Sequence, residues 1–237
     1  MLYNFIMYKI KKIDGKTVFY SDIAPFEHFF SSREIPLKDN EENQKIVAKY
    51  LNIKKENLIC PNQTHSDNVE FLTEEKKSYP NCDALILDIK DYAIFLNFAD
   101  CTPLIFYDLK NKIGAIAHAG WRGTASKIGP KTFLKMKEKY NSNSKDIVAL
   151  VGPCISFKYF ETYPEALFAL KNSVQNQEGL FFENYADLKG INKRQLEELG
   201  IEKIDVCPYC TIEDNDKFFS YRKENKTPFR HSAVLKL

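Results

Sequence analysis

Histidine is scarce in this chain, with four in 237 residues. That scarcity excludes chemistry built on several metal ions held by many imidazoles. Charge of one sign is also missing. The formal net charge is +2, and the lysines are interspersed with acidic residues, so the composition argues against a nucleic-acid partner and for a solvated surface. No apolar run approaches the roughly 20 residues that span a bilayer. Met1–Tyr8 places its apolar residues before the basic stretch instead of after it, and no small-residue cleavage site follows. A cytoplasmic protein without a membrane segment is therefore expected. There is no internal repeat and no Gly/Ser linker, so residues 1–237 are expected to form a single domain. Six cysteines are too few for a disulfide scaffold at this length and are expected to be reduced.

What is present suits a packed core: 44% hydrophobic residues, with 18 Phe and 13 Tyr. Residues 39–52 carry Ile46, Val47, Tyr50 and Leu51 at helical spacing. Short apolar runs at 84–88, 92–98, 104–107, 113–118 and 147–151 are separated by polar breaks and predict buried strands. Helices are predicted over 124–140, 164–171 and 192–199, and short strands over 204–206, 218–221 and 232–237. Several strand-to-strand steps are too short for a crossover helix. The expected class is α+β, with mixed, largely antiparallel sheets flanked by helices.

Three segments concentrate the residues capable of chemistry: Asn62-Gln63-Thr64-His65-Ser66, Ala99-Asp100-Cys101-Thr102-Pro103 and His118-Ala119-Gly120-Trp121-Arg122-Gly123. Taken singly, His65 is a surface-loop histidine, Cys101 a small buried residue, Trp121 a core aromatic and Arg122 a surface ion-pair partner. Taken together, His65, Cys101 and His118 form a set that a zinc ion accepts. Three protein ligands leave one tetrahedral position open, the arrangement of a catalytic site. All three are expected at strand ends or in the loops just after them. Cys207-Pro208-Tyr209-Cys210 has the spacing of a redox or metal pair, but no second pair lies near it. Cys60 and Cys82 are expected to be packing residues.

These segments, with Cys82-Asp83-Ala84-Leu85, Gly152-Pro153-Cys154-Ile155, Asp187-Leu188, Gln195-Leu196, Cys210-Thr211 and Phe218-Phe219-Ser220-Tyr221-Arg222, resemble the laccase-domain family. That family is also called the polyphenol oxidase or purine nucleoside phosphorylase family. The likeness covers nearly the whole chain, and the Ala-Gly-Trp-Arg-Gly run after His118 is its most specific element. It departs after His28-Phe29-Phe30-Ser31-Ser32-Arg33, where Glu34-Ile35-Pro36-Leu37 replaces a longer glycine-bearing loop. It departs again where Thr227-Pro228-Phe229-Arg230 replaces a Thr-Gly-Arg element.

The resemblance implies a zinc enzyme that phosphorolyses adenosine, inosine, guanosine and S-methyl-5′-thioadenosine and deaminates adenosine. Its partners would be a purine nucleoside and phosphate, with no obligate protein partner. It makes His65, Cys101 and His118 metal ligands and catalytic residues. Asp100 would orient substrate, shuttle a proton or support a ligand. Arg33, Trp121, Arg122 and Arg222 would bind substrate, with Arg122 the first choice for phosphate. Three alternatives stay open. One is a cysteine–histidine hydrolase of amides or cell-wall peptide precursors, with Cys101 as nucleophile and His118 as base. Another is a copper-dependent polyphenol oxidase, which is short of histidines. The last is a non-catalytic, metal-stabilised binding module.

Overall fold

The computed structural model describes residues 8–76 and 78–237. The reading of Met1–Met7 as lacking a signal lies outside the described residues. The strands, in chain order, are β1 (Lys9–Ile13), β2 (Lys16–Tyr20), β3 (Glu27–Ser31), β4 (Leu58–Ile59), β5 (Val69–Phe71), β6 (Ala84–Leu87) and β7 (Ala93–Phe98). They continue with β8 (Thr102–Asp108), β9 (Ile113–Ala119), β10 (Ile147–Val151), β11 (Phe181–Phe182), β12 (Tyr185–Ala186), β13 (Lys203–Val206) and β14 (His231–Lys236). The helices are α1 (Glu41–Tyr50), α2 (Trp121–Ala125), α3 (Ile128–Tyr140), α4 (Pro164–Lys171) and α5 (Leu188–Glu197). No helix among the described residues is long and apolar enough to cross a membrane.

Two six-stranded sheets form the frame, in the orders β1-β2-β3-β14-β7-β4 and β13-β10-β8-β9-β6-β5, and β11 and β12 pair separately. Among the strands of the described residues, only β4 with β7, β5 with β6 and β10 with β13 run parallel, so the class is α+β with mixed, largely antiparallel sheets. The period-two alternation of strands sorts the apolar residues onto two faces. Ile94, Leu96, Phe98, Ala233 and Leu235 of the first sheet meet Leu85, Leu87, Ile105, Ile116, Val148 and Leu150 of the second. The outward Ala93, Phe95 and Val234 pack under Val47 of α1. On the far side, Leu104, Phe106, Ala115 and Ala149 pack against Phe133 and Met136 of α3 and Leu196 of α5. Helix α1 starts where the Asn40 carbonyl oxygen of the side chain accepts from the Asn43 amide, with Glu41 and Glu42 in its first turn.

Three expectations change. The helix expected over 124–140 is two helices, broken at Lys127, which adopts φ +60°. Pro130 is the reason. It has no amide hydrogen for the residue 126 carbonyl, so it fits the first turn of α3 but not the interior of one long helix. The strand expected over 218–221 is irregular backbone: the Phe218 amide goes to Asp214 O and the Ser220 amide to the Glu224 carboxylate. Strands β1–β3 were not anticipated. β1 is lysine-rich, as suits an exposed edge, and joins β2 through Asp14-Gly15, both at positive φ, the two-residue hairpin signal.

The two sheets approach closely at Gly114. A Cβ there would lie 2.6 Å from Leu235 Cδ2 and 3.1 Å from the Phe106 carbonyl oxygen. Gly114→Ala should therefore cost about 1–3 kcal/mol of stability. The check is the urea midpoint at constant m-value, and an unmoved midpoint would contradict the packing described.

Candidate functional site

The chain crosses from one sheet to the other in three residues, Ala99, Asp100 and Cys101, between the end of β7 and the start of β8. Asp100 makes this corner at φ +81°, a conformation that costs a non-glycine residue about 1–3 kcal/mol. It is held there by contacts far away in sequence. Its Oδ1 accepts from Thr211 Oγ1 at 2.6 Å, and its Oδ2 accepts from the Arg222 amide at 2.7 Å. Cys101 thus sits at a pinned turn beside β9, where His118 pairs opposite Pro103. His118 shares the inward parity of Ile116, so its ring faces the first sheet and lies edge-on to Phe98 at 5.3 Å. His65 comes from the loop between β4 and β5, six residues beyond β4 and not immediately after it, at φ +62°.

One ligand atom each from His65, Cys101 and His118 lies within 4.8 Å of the others, and Cys101 Sγ is 3.9 Å from His65 Nε2. A zinc tetrahedron has edges of roughly 3.5 Å, so these side chains close on an ion with movements of about 1 Å. The donor set, one thiolate and two imidazoles, suits a borderline-soft divalent metal. Space for it depends on Gly120, where a Cβ would lie 3.0 Å from Cys101 Sγ and 3.1 Å from His65 Cδ2.

The buried Asp83 organises this site. Its carboxylate accepts from the amides of Thr64 (3.0 Å), His65 (3.1 Å) and Ser66 (2.8 Å) and from Ser66 Oγ (2.7 Å). It also bonds His118 Nδ1 at 2.8 Å, which leaves Nε2 as the free ligand atom. Burial opposes its charge, but His118 and Ser66 outweigh burial and hold the carboxyl well below the usual range. Burial likewise opposes the Cys101 thiolate, and the two histidines overcome it and draw the thiol down to about 6. His118 is raised to about 9, against burial, by Cys101 and Asp83. The other cysteines behave differently. Burial pushes Cys60 and Cys207 up to about 12 and Cys82 and Cys154 up to about 11. Cys207 and Cys210 are both buried and, among the described residues, bring no third ligand-type residue into metal-binding distance.

The trio opens into a cleft of 830 Å³ whose walls include Asn62, Tyr79, Asn97, Phe160, Tyr221 and Arg230, a volume that accepts a nucleoside-sized ligand. Asp100 and Arg222 also line it, while Arg33, Trp121 and Arg122 do not. Arg33 forms a bidentate ion pair with Glu224 at 2.8 and 3.1 Å and stacks over Phe219. Trp121 packs into the apolar cluster around Ile155 and Leu170, and the exposed Arg122 lies over its ring at 4.3 Å. Sequence reasoning missed Asp83, Tyr221 and Arg230. Asp83 left a signal, an acid between a cysteine and an apolar strand, and Tyr221 and Arg230 lay in or beside the C-terminal segments of the resemblance. His28 and His231 stand apart from the trio. His28 bonds the Ser21 amide and the Phe26 carbonyl. His231 is buried beside Phe98 and Phe218, and burial lowers it to about 3.

Residues 36–236 match the family described as multi-copper polyphenol oxidoreductase laccase. The purine nucleoside phosphorylase YlmD of Bacillus subtilis is 30% identical over 84% of this chain and 78% of its own length. The adenosine deaminase RL5, from an unknown prokaryotic organism, is 28% identical over 75% of this chain and 74% of its own. The crystal structure of the Bacillus licheniformis hypothetical protein YfiH superposes with a TM-score of 0.86 at 25% identity, covering 95% of this chain and 98% of that one.

Two outcomes test the site. Asp83→Asn places an amide where five donors converge, so metal affinity should fall about 10–100-fold, with about 1–3 kcal/mol of stability lost. Competition with a chromogenic chelator measures the first effect, and wild-type affinity would show that Asp83 does not orient the ligands. Because the folded-state pKa of Asp83 is depressed, its contribution is present above the ordinary carboxyl value of about 3.9 and disappears as pH falls below it. In metal-free protein, alkylation of Cys101 by iodoacetamide should rise through a midpoint near pH 6, against about 8.5 for an ordinary thiol. A midpoint at the ordinary value would remove the charge coupling described.

Proposed function

Because the chain belongs to the multi-copper polyphenol oxidoreductase laccase family, we propose that it is a zinc-dependent purine nucleoside phosphorylase with adenosine deaminase activity, formed by one catalytic domain over residues 1–237 and acting in the cytoplasm. Adenosine, inosine, guanosine and S-methyl-5′-thioadenosine are the proposed nucleosides. The observation that carries the reading is the convergence of His65, Cys101 and His118 at a cleft of nucleoside size. The names of relatives such as YlmD and RL5 support both activities. Zinc is favoured over copper because His28 and His231 lie apart from the trio and leave no cluster for several coppers.

His65, Cys101 and His118 would hold the metal, which supplies Lewis acidity at that end of the cleft. Asp83 keeps the His118 ring in one tautomer and orientation. Asp100, with both carboxylate oxygens bonded to Thr211 and Arg222, acts by positioning the Cys101 turn. Apolar walls such as Phe160 suit the faces of a purine, and polar groups such as Asn62 suit its edges. In phosphorolysis a phosphate oxygen bonds to the anomeric carbon as its bond to the base nitrogen breaks. The electron pair leaves with the base, which takes up the proton that phosphate gives up.

A second reading rests on a different observation. Cys101, His118 and Asp83 form a thiol–imidazole–carboxylate series, which also suits a cysteine hydrolase acting on amides or cell-wall peptide precursors. His65→Ala separates the two, since His65 is a ligand in the first and neither nucleophile nor base in the second. The expected protein is metal-poor, with phosphorolysis of inosine reduced on the order of 100-fold or more. Metal analysis and chromatography of hypoxanthine measure this. Full activity in a metal-poor His65→Ala protein would refute the zinc mechanism and leave the hydrolase.

A further inference from the structure

The cleft has to hold a phosphate dianion if the phosphorylase reading is right, and the arginine expected to do so does not reach it. Arg122 stacks on Trp121 outside the cleft, and Arg33 is neutralised by Glu224. The lysine and arginine side chains that do line the cleft are Lys38, Arg222 and Arg230. We infer that Arg230 is the phosphate-binding residue, an assignment that rests on the phosphorylase reading.

One edge of the Arg230 guanidinium is free and the other is tied down. Arg230 Nη1 donates to the Thr227 carbonyl at 2.5 Å and to the Phe229 carbonyl at 2.7 Å, which uses both of its hydrogens. Nη2 and Nε make no hydrogen bond among the described residues, and no carboxylate there pairs with the charge. Nη2 and Nε share one edge of the planar group, and their parallel N–H bonds match two oxygens of a phosphate. The two carbonyls and the Tyr221 ring, 5.5 Å away, hold the group in place before any ligand arrives. Little side-chain entropy is then lost on binding.

The alternatives are weaker on the same criteria. Arg222 commits one nitrogen to the Tyr159 carbonyl and the other to the Glu161 carbonyl, so both ends of its fork are tied to that loop. Lys38 is exposed, is a point charge, and has no anchoring contact among the described residues. Position also favours Arg230. It directly precedes β14, whose first residue His231 pairs with Phe98. One step further along that register the neighbouring strand becomes Ala99, Asp100 and Cys101. The anion would therefore be held beside the corner that carries the thiolate ligand.

The test uses the metal-loaded protein with inorganic phosphate as the probe. Phosphate is varied at saturating inosine for wild type, Arg230→Gln, Arg230→Lys, Arg122→Ala and Lys38→Ala. Calorimetric titration of phosphate into each protein is run alongside. Arg230→Gln should raise the phosphate KM and Kd by about 10- to 100-fold, with a smaller change in the inosine KM. Arg230→Lys, which keeps charge but loses the fork, should fall between Arg230→Gln and wild type. If Arg230→Gln does not fold, judged by circular dichroism, the lysine variant still decides. Wild-type phosphate saturation in both Arg230 variants would overturn the assignment, as would a comparable loss in Arg122→Ala or Lys38→Ala instead. A wild-type protein that never consumes phosphate would end the phosphorylase reading. The titration would still report whether Arg230 is the anion site.

Discussion

A single buried carboxylate ties together the two histidines on which the site depends. Asp83 has no solvent exposure, so its charge is tolerable only because five donors converge on it. Three are consecutive backbone amides, Thr64 to Ser66, which wrap the loop around one oxygen pair and push His65 into a left-handed conformation. The fifth is the ring of His118, from a strand 35 residues away in sequence. The same residue's carbonyl accepts the His118 amide at 2.7 Å. Removing the carboxylate would leave several donors unpaired at once and loosen both histidines. The approach of His65 to His118 is thus a consequence of satisfying one buried anion.

The rest of the site follows from how the two sheets are joined. Three residues are enough to pass from β7 to β8 only if the chain turns sharply, and Asp100 makes that turn with a strained backbone. The strain is offset by hydrogen bonds from Thr211 and Arg222, so the C-terminal third of the chain holds Cys101 in place. Gly120 matters for space and not for φ, since its φ of −69° is open to any residue. What excludes a side chain there is the approach of Cys101 Sγ and the His65 ring. Gly123 plays a related part, with the His118 carbonyl 3.1 Å from where its Cβ would be.

Burial separates the cysteines by function. Four thiols sit in apolar surroundings that raise their pKa and leave them inert. Cys101 is the exception because two imidazoles compensate its charge. Cys207, half of the Cys-x-x-Cys pair, is one of these four. His28 and His231 show the same selection among histidines: burial lowers both, to about 4 and about 3, and keeps them neutral packing groups.

Local pattern determined much of this protein from sequence alone. The apolar runs that became β6 to β10, the capped amphipathic helix α1, and the three segments carrying His65, Cys101 and His118 are encoded in neighbouring residues, where periodicity and turn chemistry act. The Asp14-Gly15 hairpin and the Pro130 break were also written locally, although lysines masked the first and a long apolar pattern masked the second. Tertiary structure decided which charges are free. Arg33 meets Glu224 from 191 residues away, Arg222 is captured by the Tyr159–Glu161 loop, and Arg122 rests on Trp121 outside the cleft. A sequence shows that an arginine is present. Only the folded chain shows whether its donors are already taken, because the acceptors that take them are brought close by packing between distant segments.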